Sequence, residues 1–265
     1  MGDSSRDTSK FKMILKAIDV AFSMYSKIPM PRFTWGSSDM KYHLCFFPFV
    51  GAVIGGLEYG WFLFAGLLNL GEIIKIMIAI TIPLLITGGF HVDGYMDTMD
   101  AFHSYQPREK KLEILKDPHI GAFSVICLTI YMLLAVGFLS EINNKEAVAV
   151  LCFSFFIARA LSGLSLMYFK NAKDTGMLST SKETADKKIV KVSLEIELIL
   201  ALGLMLFINW KYGAISIATF AITFLYYYRM SKKNFGGITG DLAGFYVCIS
   251  ELFSLATVSI LNIFI

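Results

Sequence analysis

The sequence predicts an all-α fold: a polytopic membrane helical bundle of about seven transmembrane helices, with an N-terminal amphipathic helix and a site carried on cytoplasmic loops. Three observations lead there. The 265 residues are 55% hydrophobic and 17% charged, with a mean hydropathy of +0.61, and a water-soluble globule carries more charge than that. Apolar runs of bilayer-crossing length recur from residue 44 to the end. Lysine and arginine crowd onto alternate connections between those runs. The net charge of +3 is too small to speak for nucleic acid as a partner.

Residues 1–43 form a cytoplasmic or interfacial segment. Phe11, Ile14, Leu15, Ile18, Phe22 and Tyr25 recur at helical spacing with lysines between them, the pattern of a helix lying on a membrane surface. A helix packed beneath the cytoplasmic loops has the same pattern. Pro29 and Pro31 end it. Spans are expected over about 44–70, 73–90, 120–140, 146–169, 193–209, 213–228 and 242–264. Residues 44–265 are thus the bundle, and 1–265 one integral membrane domain. In the first span, Gly51, Gly55, Gly56 and Gly60 make two overlapping small-xxx-small patterns that admit another helix at close range. Cys45, Cys127, Cys152 and Cys248 lie in apolar runs without a C-x-x-C pair and read as packing residues. Met1 to Lys16 lacks an apolar core followed by a cleavage site, so no signal peptide is expected.

One set of connections holds Arg6, Lys10, Lys12, Lys16, Lys27, Arg32 and Lys41, then Arg108, Lys110, Lys111 and Lys116. It continues with Lys170, Lys173, Lys182, Lys187, Lys188 and Lys191, then Arg229, Lys232 and Lys233. The opposite set holds only Lys75, Lys145 and Lys211. The positive-inside rule makes the N-terminus cytoplasmic and puts the C-terminus across the membrane.

At the end of the second span comes Gly88-Gly89-Phe90-His91-Val92-Asp93-Gly94-Tyr95-Met96-Asp97-Thr98-Met99-Asp100. On a helix turning about 100° per residue, Asp93, Asp97 and Asp100 fall within an arc of roughly 60°. Stacked carboxylates repel unless something positive sits between them. A hard divalent cation, its shell completed by a phosphate-bearing substrate, meets that need. The plain alternative is a solvated helix end, where acids are favourable without any role. Against it stand Gly88, Gly89 and Gly94, which let backbone approach a ligand, and the cost of charge beside an apolar span.

A second motif, Gly236-Gly237-Ile238-Thr239-Gly240-Asp241, repeats the spacing of two glycines and an acid four residues later. Glycines before a helix can form a turn whose N–H groups hold phosphate, with Asp241 as a further metal ligand. A turn with Asp241 as N-cap is the bland equivalent. From the loop 106–120, Arg108, Lys116 or His119 can reach substrate phosphates, although much of that loop reads as a surface amphipathic helix. Glu58, Arg159 and Glu251 lie inside spans. Pairing between them would tie spans one, four and seven together, with Arg159 and Glu251 also open to substrate polar groups.

At these residues the chain resembles the cobalamin synthase, or adenosylcobinamide-GDP ribazoletransferase, family. The resemblance runs nearly end to end. It rests on Thr87 to Gly94 with Asp97-Thr98, on Leu112 to Asp117 with Ile120 to Phe123, on Ala172 to Met177, and on Gly236-Gly237 with Thr239 to Asp241. Ile28 to Pro31 and Phe47 to Gly51 fit as well. Two departures are Ala101 and Leu242, where the family commonly has Gly and Thr; neither touches the carboxylates.

The resemblance implies a reaction, a cofactor and partners. The 3′-hydroxyl of α-ribazole, or of its 5′-phosphate, attacks the cobinamide-linked phosphorus of adenosylcobinamide-GDP, and GMP leaves. The implied cofactor is Mg²⁺. Asp93, Asp97 and Asp241 are its implied ligands, and Asp100 is a further ligand or the base. His91 is the alternative base, or a hydrogen-bonding partner at the helix end. Implied partners are the two substrates and the lipid bilayer, with a homo-oligomer or association with other cobalamin-assembly enzymes as open extensions. Rivals are a CDP-alcohol phosphotransferase, a membrane prenyltransferase, and a corrinoid or metal transporter. The first expects Ala-Arg after Asp-Gly-x-x, the second a second Asp-x-x-x-Asp, and the third polar groups near the bilayer midplane.

Overall fold

The computed structural model describes residues 3–31, 34–36, 38–173 and 175–264, with side chains from residue 12 onward. Arg32 and Asp174, and the side chains of Arg6, Lys10 and Phe11, lie outside that description. The described elements are helical: α1 (Asp3–Tyr25), a 3₁₀ helix (Asp39–Phe46), α2 (Phe47–Leu67), α3 (Glu72–Thr87), α4 (Phe90–His103) and α5 (Arg108–Ile114). There follow α6 (Ala122–Ser140), α7 (Lys145–Tyr168), α8 (Met177–Thr184), α9 (Lys187–Ile208), α10 (Trp210–Asn234) and α11 (Gly240–Phe264). The all-α membrane architecture expected from composition is thus present.

The count of seven spans is not. Among the described residues, four segments are long and apolar enough to cross a membrane: Asp39–Leu67, α6, α7 and α11. A fifth exists if α3 and α4, bent by 93°, are taken as one broken or re-entrant segment. Alone, α3 has only 16 residues. Helices α9 and α10 have the length, at 22 and 25 residues. Their composition falls short, because Lys187, Lys188, Lys191, Glu195 and Glu197 load the first half of α9, and polar residues interrupt α10. Both pack on membrane-crossing neighbours, α9 on α7 and α10 on α11.

Helix α11 is the centre of the bundle, in contact with α4, α6, α7 and α10. Helix α2 lies on α7. There, Gly51 and Gly55 press on the α7 backbone at Phe155 and Cys152, whereas Gly56 and Gly60 face open space. Only the first of the two small-residue patterns is therefore a helix contact. In α1, Ala17, Val20, Ala21 and Tyr25 are buried against the 3₁₀ helix and α2, while Met13, Ile14 and Leu15 stay exposed. The packed reading of α1 holds for its second half.

Candidate active site

Two glycines turn the chain from α3 into α4. Gly88 (φ 65°) and Gly89 (φ 78°) are both left-handed, a conformation that costs a side-chain-bearing residue energy at each step. The turn lays α4 across the start of α11. A Cβ on Gly94 would come 2.8 Å from the Asp241 carbonyl oxygen and 2.9 Å from its Cα. One turn away, a Cβ on Gly244 would come 3.0 Å from the carbonyl oxygen of His91. The two backbones touch at these glycines, and Asp93 on one helix is thereby set opposite Asp241 on the other.

Both carboxylates line a cleft of about 320 Å³, whose other walls come from α1, the 3₁₀ helix, α2, α7, α8 and the loop before α8. That loop is fixed by a parallel bridge in which Ala172 N–H donates to the Ile238 carbonyl and Ile238 N–H to that of Lys170, each at 2.8 Å. Gly237 lies against this strand-like pair with no room for a Cβ. The bridge carries Lys173 into the cleft beside Asp241. Thr239 caps α11: its hydroxyl accepts from Leu242 N–H at 3.2 Å and donates to Asp241 Oδ2 at 3.3 Å. The cap is thus Thr239 and not Asp241, which leaves the Asp241 carboxylate directed to the cleft.

The electrostatics are those of crowded acids edged by lysines. The carboxyl of Asp97 is pushed up to about 6, first by burial and then by the charges of Asp93, Asp241 and Asp100. Burial pulls Lys173 below the usual lysine range; Asp241 opposes that shift and Lys116 adds to it. Among the described residues no three His, Cys, Asp or Glu side chains close around a metal ion. The donor set nevertheless fits Mg²⁺, an ion that takes one or two carboxylates together with waters and substrate phosphate oxygens.

A sequence profile of the cobalamin-5-phosphate synthase family matches residues 17–259. The chain belongs to that family. An adenosylcobinamide-GDP ribazoletransferase of Lachnoclostridium phytofermentans is 43% identical over 238 residues, covering 90% of this chain and 91% of the relative. A Clostridium perfringens protein of the same name is 31% identical over 251 residues, covering 94% and 100%. A third, from a Geobacillus species, is 33% identical over 220 residues, covering 80% and 83%. No solved structure matches.

Within this family member the other expected site residues divide. The guanidinium of Arg108 lies against Gly236 (φ 76°), so these two are brought together, but neither is among the cleft's walls. Gly240 lines the cleft with Thr239. Asp100 is turned onto Gly121, at the start of α6, and is not among the cleft's walls. His119 is exposed and paired with Asp117 at 2.6 Å. Arg159 is paired with Glu251 at 2.7 Å, deep in the bundle and outside the cleft. His91 is buried at the cleft's inner wall.

Lys173 and Thr175, both in the cleft wall, were not singled out by sequence reasoning. The signals for them are the Ala172 to Met177 block, which carries the family resemblance but no motif of its own, and for Lys173 its place among the lysines of the connections. Lys173→Met is expected to lower kcat/KM for the diphosphate substrate by about 10- to 100-fold, mostly through KM, the worth of a charged hydrogen bond. Steady-state kinetics at saturating ribazole checks it; an unchanged KM removes Lys173 from the substrate.

Proposed function

We propose that this chain is an Mg²⁺-dependent adenosylcobinamide-GDP ribazoletransferase of the cell membrane, with its site on the cytoplasmic face. It joins ribazole, or ribazole 5′-phosphate, to the cobinamide phosphate of adenosylcobinamide-GDP and releases GMP. The observation that carries the reading is the crossing of α4 on α11, which sets Asp93 and Asp241 across one cleft with Lys173 beside them. The names of the family's relatives supply the substrates.

In this reading Asp93 and Asp241 hold Mg²⁺ from opposite helices, and Asp97 supplies negative charge behind them. The ion, when bound, neutralises the diphosphate oxygens and the departing phosphate. Lys173 and Lys116 set positive charge along the substrate's phosphates. The neighbouring helix N-termini of α4 and α11 add their own partial positive charge. The cytoplasmic assignment is supported by the lysines and arginines of the connections at this end.

The test is GMP release by the purified full chain. Release is expected only when adenosylcobinamide-GDP, a ribazole acceptor and Mg²⁺ are all present. Solute uptake into vesicles without GMP release would instead speak for a transporter.

A further inference from the structure

Behind the cleft lies a second cavity, of about 130 Å³, lined by α2, α3, α4, α6, α7 and α11. Its mostly apolar walls carry Glu58, His91, Arg159 and Glu251. Glu58 and Glu251 are each about eleven residues into their helices from the cleft end, and Arg159 about nine. At about 1.5 Å per residue they lie near the middle of a bilayer core about 30 Å thick.

The polar groups here are incompletely used. Arg159 Nη1 donates to the Phe155 carbonyl and to Glu251 Oε1, both at 2.7 Å. Its Nε has no hydrogen-bond partner, and neither ring nitrogen of His91 has one. Yet Arg159 is 1% exposed and His91 4%. Buried polar groups are rarely left unpaired, because doing so costs free energy. His91 also forms part of the cleft wall, so the two spaces share it.

We propose that this cavity is a subsite for an uncharged group that both accepts and donates hydrogen bonds, a primary carboxamide being the full match. Arg159 Nε–H and the one N–H of a neutral His91 need an acceptor, and the other His91 nitrogen needs a donor. An amide offers both from one small group. An ion of either sign would sit among mostly apolar walls with the Arg159–Glu251 charges already paired, where an unpaired charge is costly. The apolar remainder of the wall takes the carbon skeleton that bears the amide. One source is the carboxamide-bearing rim of the corrinoid, which rests on the function proposed above: its diphosphate in the cleft puts the corrinoid beside His91. The other is a membrane amphiphile with an amide head.

The test fills the cavity without touching its polar groups. Ala135 is 6% exposed and lines the space. Equilibrium binding of adenosylcobinamide, which lacks the nucleotide, is measured on the full chain in lipid nanodiscs, before and after Ala135→Phe. GDP binding and GMP release are measured on the same samples. A drop of tenfold or more in adenosylcobinamide affinity, with GDP affinity unchanged, supports the subsite and the corrinoid as its source. Unchanged adenosylcobinamide binding, with oleamide binding to the wild type and lost in the variant, supports it with a lipid source. If neither ligand's binding responds to the substitution, the subsite is overturned, whether or not GMP is released. If GMP is not released by the wild type, the proposed function fails, and the oleamide arm decides the cavity alone. Ala79→Leu, at a second buried lining residue, replaces Ala135→Phe if that variant is not monodisperse.

Discussion

Asp93→Asn and Asp241→Asn are each expected to cut kcat by about a thousandfold or more, equivalent to the several kcal/mol that metal-borne charge stabilisation supplies. Asparagine keeps the shape of the side chain and removes only its charge. Asp93 is exposed at the cleft, so no packing is lost, and the variants should remain monodisperse. Removing the charge also relieves Asp97, whose raised proton affinity owes part of its rise to Asp93 and Asp241. Stability should therefore hold or rise slightly, because stacked carboxylates oppose helix formation. A second readout separates loss of the ion from loss of the substrate. In the wild type, Mg²⁺ should raise Tm by mass action, and in either variant that increment should shrink or vanish. Variants that turn over at near-normal rates would take the metal assignment away from this cleft.

The acidic helix was legible because its spacing is a local property. Asp93, Asp97 and Asp100 share a face on any helix, and Gly88-Gly89 marks where that helix begins. The likeness between Gly236-Gly237 and that first pair was also legible, and it led to Asp241. What no local pattern encodes is which carboxylates share a cleft. Asp100 has the right angular position, yet α6 arrives beside it and Gly121 takes its side chain. Lys173 has no motif, and its place depends on a bridge between residues 171 and 238. Opposite charges in apolar runs announced the Arg159–Glu251 pair, but not that it faces a cavity separate from the cleft. The span count failed for a related reason. Hydropathy sees α9 and α10 as apolar cores of about 17 residues with polar ends, and the packing that holds them is tertiary.

The crossing of α4 on α11 leads to a second large effect, at a residue with no functional group. Gly94→Ala adds one methyl group at a point where the nearest atoms are the Asp241 carbonyl oxygen and Cα, 2.8 and 2.9 Å away. Neither is a side chain that can rotate aside, so one helix must move. Overpacking of this kind costs about 1–3 kcal/mol, a modest loss for a bundle held by many other contacts. The effect on catalysis should be far more visible. A displacement near 1 Å separates Asp93 from Asp241, and misplacement of that size can cost about a hundredfold in rate. Gly94→Ala is therefore expected to fold, with Tm lowered by a few degrees, and to lose about two orders of magnitude in kcat. Gly60→Ala is the control: nothing lies within 4 Å of a Cβ there, and alanine's better helix propensity favours α2 slightly. Thermal melts and GMP release on both variants separate the outcomes. Equal activity in the two would mean that α4 and α11 can part without disturbing the chemistry, and that Asp241 acts independently of Asp93.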